Sequence, residues 1–341
     1  MSFLLTALWL TLYGVRVVRW GRDLARPSTP LAPVARDLTV VIPCRNEAAR
    51  LGDLLDDLRG LDVLVIDDGS DDGTAALARQ HGARVLPNPG TGKKSALRAG
   101  FQAATTPWVA TLDADVRIGP DWATALLGAA SDDIDAVIAP VRLAPDPSAP
   151  WSRVQALEYG CMMGWALSTA RRGQAENGSG ANLLWRRSRW LELDLREDEA
   201  SGDDLFALEA LAAEGGRTAA ATGPAAWATT NPVSTWRGWI HQRARWGKKS
   251  RKYRSAGART VSALVAGYVL LLIGLPLPAA TTLFLGKTLL DTWYAHHAAR
   301  AFDLPWNPVA DDLRLALGYP VLIVAAAVRM LRPMEWKGRQ I

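Results

Sequence analysis

Three acidic pairs and one lysine carry the chemistry open to this chain. Asp113-Ala114-Asp115 follows the apolar run Trp108–Leu112. Period-two spacing in an extended segment puts both carboxylates on one side. Two such groups suit Mg²⁺ or Mn²⁺, which prefer oxygen ligands and bridge to substrate phosphates. Asp67-Asp68 closes a second apolar run and opens Gly69-Ser70-Asp71-Asp72-Gly73-Thr74. Acids at that place can accept hydrogen bonds from a base N–H and a ribose, or can build an Asx-rich turn and a helix cap. The EF-hand spacing, with glycine at six and glutamate at twelve, is absent. Asp203-Asp204 follows Ser201-Gly202; either acid can take a proton from an attacking hydroxyl, or both can stabilise a helix N-terminus. Lys93 ends Gly90-Thr91-Gly92-Lys93, but Pro87 stands where a phosphate loop needs its first glycine and Lys94 where it needs Ser or Thr. What remains is a lysine at a helix start, within reach of a pyrophosphate. In Val41-Ile42-Pro43-Cys44-Arg45-Asn46-Glu47, Pro43 is expected to stop a strand, and Asn46 or Glu47 to open a helix as its cap or first-turn acid.

These groups need a frame that gathers strand ends. Leu38–Ile42, Val63–Ile66, Arg84–Leu86 and Trp108–Leu112 read as short buried strands, with Ala136–Ile138 a further one. Helical patterns over Glu47–Arg59, Thr74–His81 and Ser95–Ala104 separate the first four, and Ser152–Arg171 is helical too. Such alternation predicts βαβ units and a mostly parallel sheet, in which ligands collect at the carboxyl ends of the strands.

The ends of the chain differ from its middle. Over 341 residues the mean hydropathy of +0.01 averages a polar body with apolar termini. Residues 1–26 read as an uncleaved anchor: the apolar run holds only Arg16 before Arg19, Arg22 and Arg26, and those basic residues come after the run rather than before it. The positive-inside rule then places the residues after this anchor in the cytoplasm. Residues 27–37, rich in proline, read as a linker, and residues 38–232 as the catalytic domain. Residues 233–258 mix tryptophans with basic residues, the composition of amphipathic helices in a membrane interface. Residues 259–341 hold two further membrane segments, about 261–285 and 313–331; Pro276 and Pro278 make the first either one kinked span or a short re-entrant hairpin. The net charge of +5 clusters beside these apolar segments, which points to an anionic leaflet and not to nucleic acid. Cys44 and Cys161 offer neither a disulfide framework nor metal-ligand spacing. Asn177-Gly178-Ser179 reads as a turn, Asn182 as a possible acceptor-side contact, and His296-His297, beside Trp293 and Tyr294, as an interface position.

Taken in order, these motifs together with His241-Gln242-Arg243-Ala244-Arg245-Trp246 resemble the family 2 glycosyltransferases of the GT-A fold, in particular membrane-associated bacterial members with a Gln-x-x-Arg-Trp motif. The resemblance covers roughly residues 38–255. It implies a mixed, mostly parallel sheet flanked by helices, and inverting transfer from a nucleotide-sugar donor, commonly a UDP-sugar. By that likeness Pro43, Glu47 and Asp68 line the nucleoside pocket with Asp67 nearby. Lys93, before Ala96-Leu97-Arg98-Ala99-Gly100, contacts donor phosphate. Asp113 touches the ribose or diphosphate, and Asp115 the metal. Asp204 is the catalytic base and Asp203 its acidic neighbour, while Gln242, Arg245 and Trp246 close over the diphosphate and the acceptor end. Arg98 stands where the family often has Asn, and Asp203 where Glu is common. The small membrane part favours a single sugar passed to a lipid or lipid-linked acceptor. A processive polysaccharide synthase and a non-catalytic membrane scaffold are the alternatives.

Overall fold

The computed structural model describes residues 1–26, 37–146, 148–197, 199, 201–336 and 339–340; the expected linker lies outside them except for Asp37. In chain order the elements are α1 (Ser2–Leu24), β1 (Leu38–Cys44), α2 (Ala48–Asp57), β2 (Asp62–Asp67), α3 (Thr74–Gln80), β3 (Arg84–Pro87), α4 (Lys93–Ala103), β4 (Trp108–Thr111), β5 (Arg117–Ile118), α5 (Trp122–Gly128), β6 (Ala136–Ile138), β7 (Val141–Leu143), α6 (Pro150–Ala170), β8 (Leu183–Arg186), α7 (Arg187–Glu192), α8 (Asp203–Ala213), β9 (Thr218–Ala220), β10 (Ala228–Thr230), α9 (Trp236–Ser250), α10 (Ala256–Gly274), α11 (Leu277–Ala301) and α12 (Ala310–Met330). The chain divides into two compact units. One comprises Met1–Pro27, Leu143–Ser168 and Pro232–Ile341; the other comprises Ser28–Arg142 and Thr169–Asn231.

The second unit is built on a seven-stranded sheet ordered β3-β2-β1-β4-β8-β6-β9. The pairs β1–β2, β1–β4, β2–β3 and β6–β9 are parallel, and only β8 runs against its two neighbours. This is the mixed, mostly parallel sheet expected. β1 is buried on both faces, as its continuous apolar run requires. On α2 the buried Leu51, Leu54, Leu55 and Leu58 recur at helical spacing and turn one face to the core. On α4 Ala96, Leu97, Gly100 and Phe101 do the same, and Phe101 stacks on Trp190 of α7 with ring centroids 3.7 Å apart. A Cβ on Gly100 would overlap the side chain of Val41 in β1. Gly100→Ala is therefore expected to cost about 1–3 kcal/mol by overpacking, read as a lowered melting temperature.

Pro43 does not stop β1. The strand continues to Cys44, paired with β2 as far as Asp67. The Val41 carbonyl, which accepts from Leu112 N–H at 3.3 Å, faces the β4 side, and alternation turns Pro43 the same way. Pairing with β4 has already ended at Val41, so the missing N–H of Pro43 leaves no ladder bond unmade. A second difference concerns α4, which starts at Lys93 rather than Ser95 because Gly92, with φ 92°, supplies the backbone turn that opens it.

The first unit gathers α1, α6 and α9–α12. Among the described residues three helices are long and apolar enough to cross a membrane, namely Ser2–Leu24, Ala256–Gly274 and Ala310–Met330. The stretch 261–285 is not one kinked helix: α10 ends at Gly274 and α11 begins at Leu277, with Pro276 as its N-cap. Proline fits a helix start and breaks a helix interior, so the break falls between two separate helices of 19 and 25 residues.

Candidate active site

The carboxyl ends of β1, β2 and β4 carry the first three motifs, and side chains lace the loops together. Asn46, in the left-handed region at φ 54°, accepts from Asp71 N–H at 3.0 Å and donates its own N–H to Ser70 Oγ at 3.0 Å. Asp72 accepts from Ala48 N–H at 3.0 Å, and so caps α2 from another loop. Its pKa lies below the ordinary range: burial opposes the charge, but bonds from Thr74 and Ala48 outweigh it. Thr74 Oγ1 in turn accepts from Glu47 N–H at 2.8 Å. The two acidic loops thus form one rigid floor.

On that floor Glu47 is buried and pairs with Arg50 at 2.5 Å. Asp67 accepts from Ser70 N–H at 3.3 Å. Asp68, also buried, accepts from Asn88 Nδ2 at 2.7 Å and from Gly92 N–H at 3.0 Å. It therefore holds the glycine-rich loop against the end of β2, with Pro43 on the adjacent strand.

Lys93, on the first turn of α4, is the centre of charge. Its Nζ lies 2.7 Å from Asp113 Oδ1 and 3.2 Å from Asp203 Oδ2. Burial works against its cation, but Asp113, Asp203 and Asp204 outweigh burial and raise its pKa, so the lysine stays charged. Asp203 and Asp204 form the first turn of α8, whose N-cap Gly202 has φ 90°. Asp204 accepts from Gly180 N–H at 3.2 Å and from Leu205 N–H at 2.7 Å. A Cβ on Gly180 would stand 2.8 Å from Asp203 Oδ2 and 3.2 Å from Lys93 Nζ, so any side chain there would displace the ends of this ion pair.

The Asp-x-Asp pair does not lie on an extended strand. β4 ends at Thr111, and Ala114 and Asp115 form a turn. The carboxylates still interact: burial and then repulsion from Asp113 raise the Asp115 pKa, Arg50 at 3.8 Å pulls it down, and Glu47 raises it further. Among the described residues no set of three or more His, Cys, Asp or Glu is arranged to hold a metal by itself. Two repelling carboxylates do fit Mg²⁺ or Mn²⁺, which are commonly bound through one or two carboxylates with phosphate and water completing the shell. Asp115 is ionised above its raised pKa and protonated below it. Mn²⁺ binding is accordingly expected to weaken on acidification at a pH above the ordinary aspartate range, and Asp115→Asn to remove that step. Calorimetric titration of Mn²⁺ with UDP across pH checks both.

Gln242, Arg245 and Trp246 lie on α9, in the other unit. There the neighbour that sequence reasoning passed over, Arg243, holds Gln242 and Trp246. It is buried, donates from Nε to Glu158 Oε1 at 2.9 Å with a second bond to Oε2, donates to Gln242 Oε1 at 2.6 Å, and lies 4.1 Å over the Trp246 ring. Arg50, Asn88 and Gly180 were missed as well. The i, i+3 spacing of Glu47 and Arg50 was a usable signal; for Asn88 and Gly180 there was none. Asn182 is not an acceptor contact. It is fully buried, donating to the Pro140 and Ala226 carbonyls at 2.9 and 2.8 Å and accepting from Trp122 Nε1 at 2.9 Å, so it is committed to the core. Arg98 ion-pairs with Glu197 and lies over the Trp190 ring.

Comparison with known proteins agrees with this arrangement. The model for glycosyl transferase family 2 matches residues 39–187. An uncharacterized glycosyltransferase of Mycobacterium tuberculosis (strain ATCC 25618 / H37Rv) is 35% identical over 182 residues, which is 53% of this chain and 81% of the relative. Pre-mycofactocin glycosyltransferase of the same strain is 42% identical over 123 residues, 34% of this chain; the match spans only 26% of that relative's length. The undecaprenyl-phosphate 4-deoxy-4-formamido-L-arabinose transferase of Aeromonas hydrophila is 38% identical over 115 residues, 29% of this chain and 35% of the relative. With the sheet order, the acidic loops at its strand ends and a relative matched over most of its length, the chain belongs to glycosyl transferase family 2.

Proposed function

We propose that the chain is an inverting glycosyltransferase of the cytoplasmic membrane, moving a sugar from a nucleotide-sugar donor, a UDP-sugar first among them, to a lipid or lipid-linked acceptor. The observation that carries this reading is one half-buried cation, Lys93, shared between Asp113 on the donor side and Asp203 beside the expected base. With the diphosphate drawn to Lys93, the sugar stands between it and Asp204, so that the base works on the face opposite the leaving group. Asp204, oriented by Gly180 and Leu205 N–H groups, accepts the proton of the acceptor hydroxyl. That oxygen bonds to the anomeric carbon as the bond to the diphosphate breaks, and the leaving electron pair departs with the diphosphate. Glu47, Asp67, Asp68 and Pro43 line the nucleoside side, and Lys93 stabilises the developing charge on the leaving group. Asp113 and Asp115 would hold Mg²⁺ or Mn²⁺, which supplies Lewis-acid neutralisation of the leaving diphosphate.

The lipid-linked acceptor is favoured by the apolar helices of the first unit and by the Aeromonas relative, whose name specifies undecaprenyl phosphate. Arg16, Arg19, Arg22 and Arg26, in and just after the C-terminal half of α1, favour a cytoplasmic placement of the sheet-bearing unit. Gln242, Arg245 and Trp246 are assigned to the diphosphate and acceptor end. The test is nucleoside diphosphate release by the detergent-purified full chain from a panel of nucleotide sugars with Mn²⁺ and lipid extract. Release from one donor, lost in Asp115→Ala, is the expected result. Folded protein that releases nothing from any donor would favour a scaffold, and a ladder of product lengths would favour a polymer synthase.

A further inference from the structure

Composition selects α1, α10 and α12 as the membrane-crossing helices and passes over α11, which carries Lys287 and Asp291. The packing within this unit selects differently. α1 and α11 run side by side in the same direction. Thr6 meets Ala279, Leu10 meets Gly286, Gly14 meets Leu290, Tyr13 meets Asp291, and Trp20 meets Tyr294. A helix paired with α1 over that length has the same depth and direction as α1. α10 returns against both: Trp9, Leu264, Tyr268 and Leu283 form one cluster, and α10 joins α11 through the short break at Leu275-Pro276.

The charges on α11 do not oppose this. Lys287 and Asp291 pair with each other one helical turn apart. The Lys287 ammonium faces the rings of Tyr13, Tyr268 and Tyr319 at 5.4, 4.8 and 5.0 Å, and Tyr13 donates to Asp291 at 2.5 Å. A neutralised pair turned into the bundle is the form in which ionisable residues are tolerated in a membrane. The outward residues Leu277, Leu285 and Leu289 are apolar and 54–79% exposed. Trp293, Tyr294, His296 and His297 occupy the next turns, where an aromatic belt belongs.

α12 takes another direction. α6 lies at the C-terminal end of α1, through Asp23 with Ser168 at 2.6 Å and Trp20 with Trp165. α9 is tied to α6 by Arg243 and Glu158. α12 starts on α6, where Arg153 donates to Asp311 at 3.1 Å, and ends on α9, where Ala326, Met330 and Met334 pack around Ala244. The middle of α6, at Gly160, adjoins Phe302 and Leu304 just past the end of α11, and α12 follows α11 after a short connection, so both ends of α12 stay at the α1 C-terminal side. Its exposed residues Leu313, Leu317, Val321, Val324, Val328 and Leu331 form one stripe at helical spacing, as expected of a helix lying on a bilayer.

We infer that α1, α10 and α11 cross the bilayer, their outward leucine face meeting lipid acyl chains, while α12 lies in the plane of one leaflet beside α9. This rests on the proposed function being that of a membrane enzyme. The test uses the full chain in sealed right-side-out and inverted vesicles, a membrane-impermeant maleimide, and single cysteines at Ser148, Leu277, Pro308 and Arg332, with the unaltered chain as the background for Cys44 and Cys161. Labelling of Ser148→Cys, Pro308→Cys and Arg332→Cys from one side and Leu277→Cys from the other is expected. Pro308→Cys on the Leu277 side overturns the inference in favour of α12 as a span. Arg332→Cys alone joining Leu277 overturns it in favour of four crossings. All four labelled from one side shows no crossing, and a chain recovered in the soluble fraction overturns the membrane reading itself. If Pro308→Cys does not accumulate, Pro305→Cys reports the same exposed segment.

Discussion

Asp204→Asn is expected to lower the transfer rate on the order of 10²- to 10⁴-fold, the usual contribution of a positioned general base, while leaving donor binding within a few-fold. The amide has nearly the size of the carboxylate and keeps one acceptor for the two N–H groups, of Gly180 and Leu205, that now hold the acid. The other N–H loses its acceptor, so a modest drop in melting temperature, equivalent to about 1–3 kcal/mol, is also expected. Lys93 keeps Asp113 and Asp203, so the phosphate contact proposed for it is expected to survive. Single-turnover transfer beside calorimetric UDP binding separates the two effects. Loss of binding together with rate would make Asp204 a structural acid. Retained rate in Asp204→Asn with loss in Asp203→Asn would move the base by one residue.

The largest stability effect is expected at Arg243. Arg243→Met strands the Glu158 carboxylate, which is 9% exposed, without its guanidinium. Removing one partner of a buried pair costs about 3–5 kcal/mol, whereas replacing both by apolar groups is often neutral. The double variant Arg243→Met/Glu158→Leu should therefore recover much of the loss, measured as unfolding half-life in detergent because membrane-associated chains seldom unfold reversibly. Its activity should not recover with it. Gln242 loses its bond to the guanidinium and Trp246 its cation, and both residues are assigned to the diphosphate and acceptor end. A double variant that is stable and fully active would remove Arg243 from any positioning role.

Much of the sheet could be read from the sequence because β1, β2 and β4 are buried apolar runs, the last two followed by acids, and burial on both faces leaves little freedom of composition. β8 was missed although it lies between β4 and β6: four residues, Leu183–Arg186, carry too little periodicity, and its antiparallel direction is set by partners far along the chain. The site acids were legible as types at strand ends. What each one touches was not, since Asp68 meets Asn88 and Gly92, and Lys93 meets Asp203, only after the sheet has formed. Asn182 misled because a polar side chain in a glycine-rich loop resembles a ligand contact until its core partners are known. α11 was hidden for the opposite reason: Lys287 and Asp291 count as two charges in composition and as one neutral pair in the fold.

The order of strands in the sheet also bears on how the chain is made. β4 ends at Thr111, and the strand that covers its open edge, β8, begins at Leu183. The ribosome therefore adds roughly seventy residues, the α6 helix among them, before that edge can close; at about 5–20 residues per second this takes on the order of 4–15 s. Through that interval the nascent chain carries a hydrophobic strand, Trp108 to Thr111, with one edge unpaired, of the kind that templates aggregation. In the membrane reading proposed above, early insertion of α1 would hold each nascent chain apart in the bilayer during this delay.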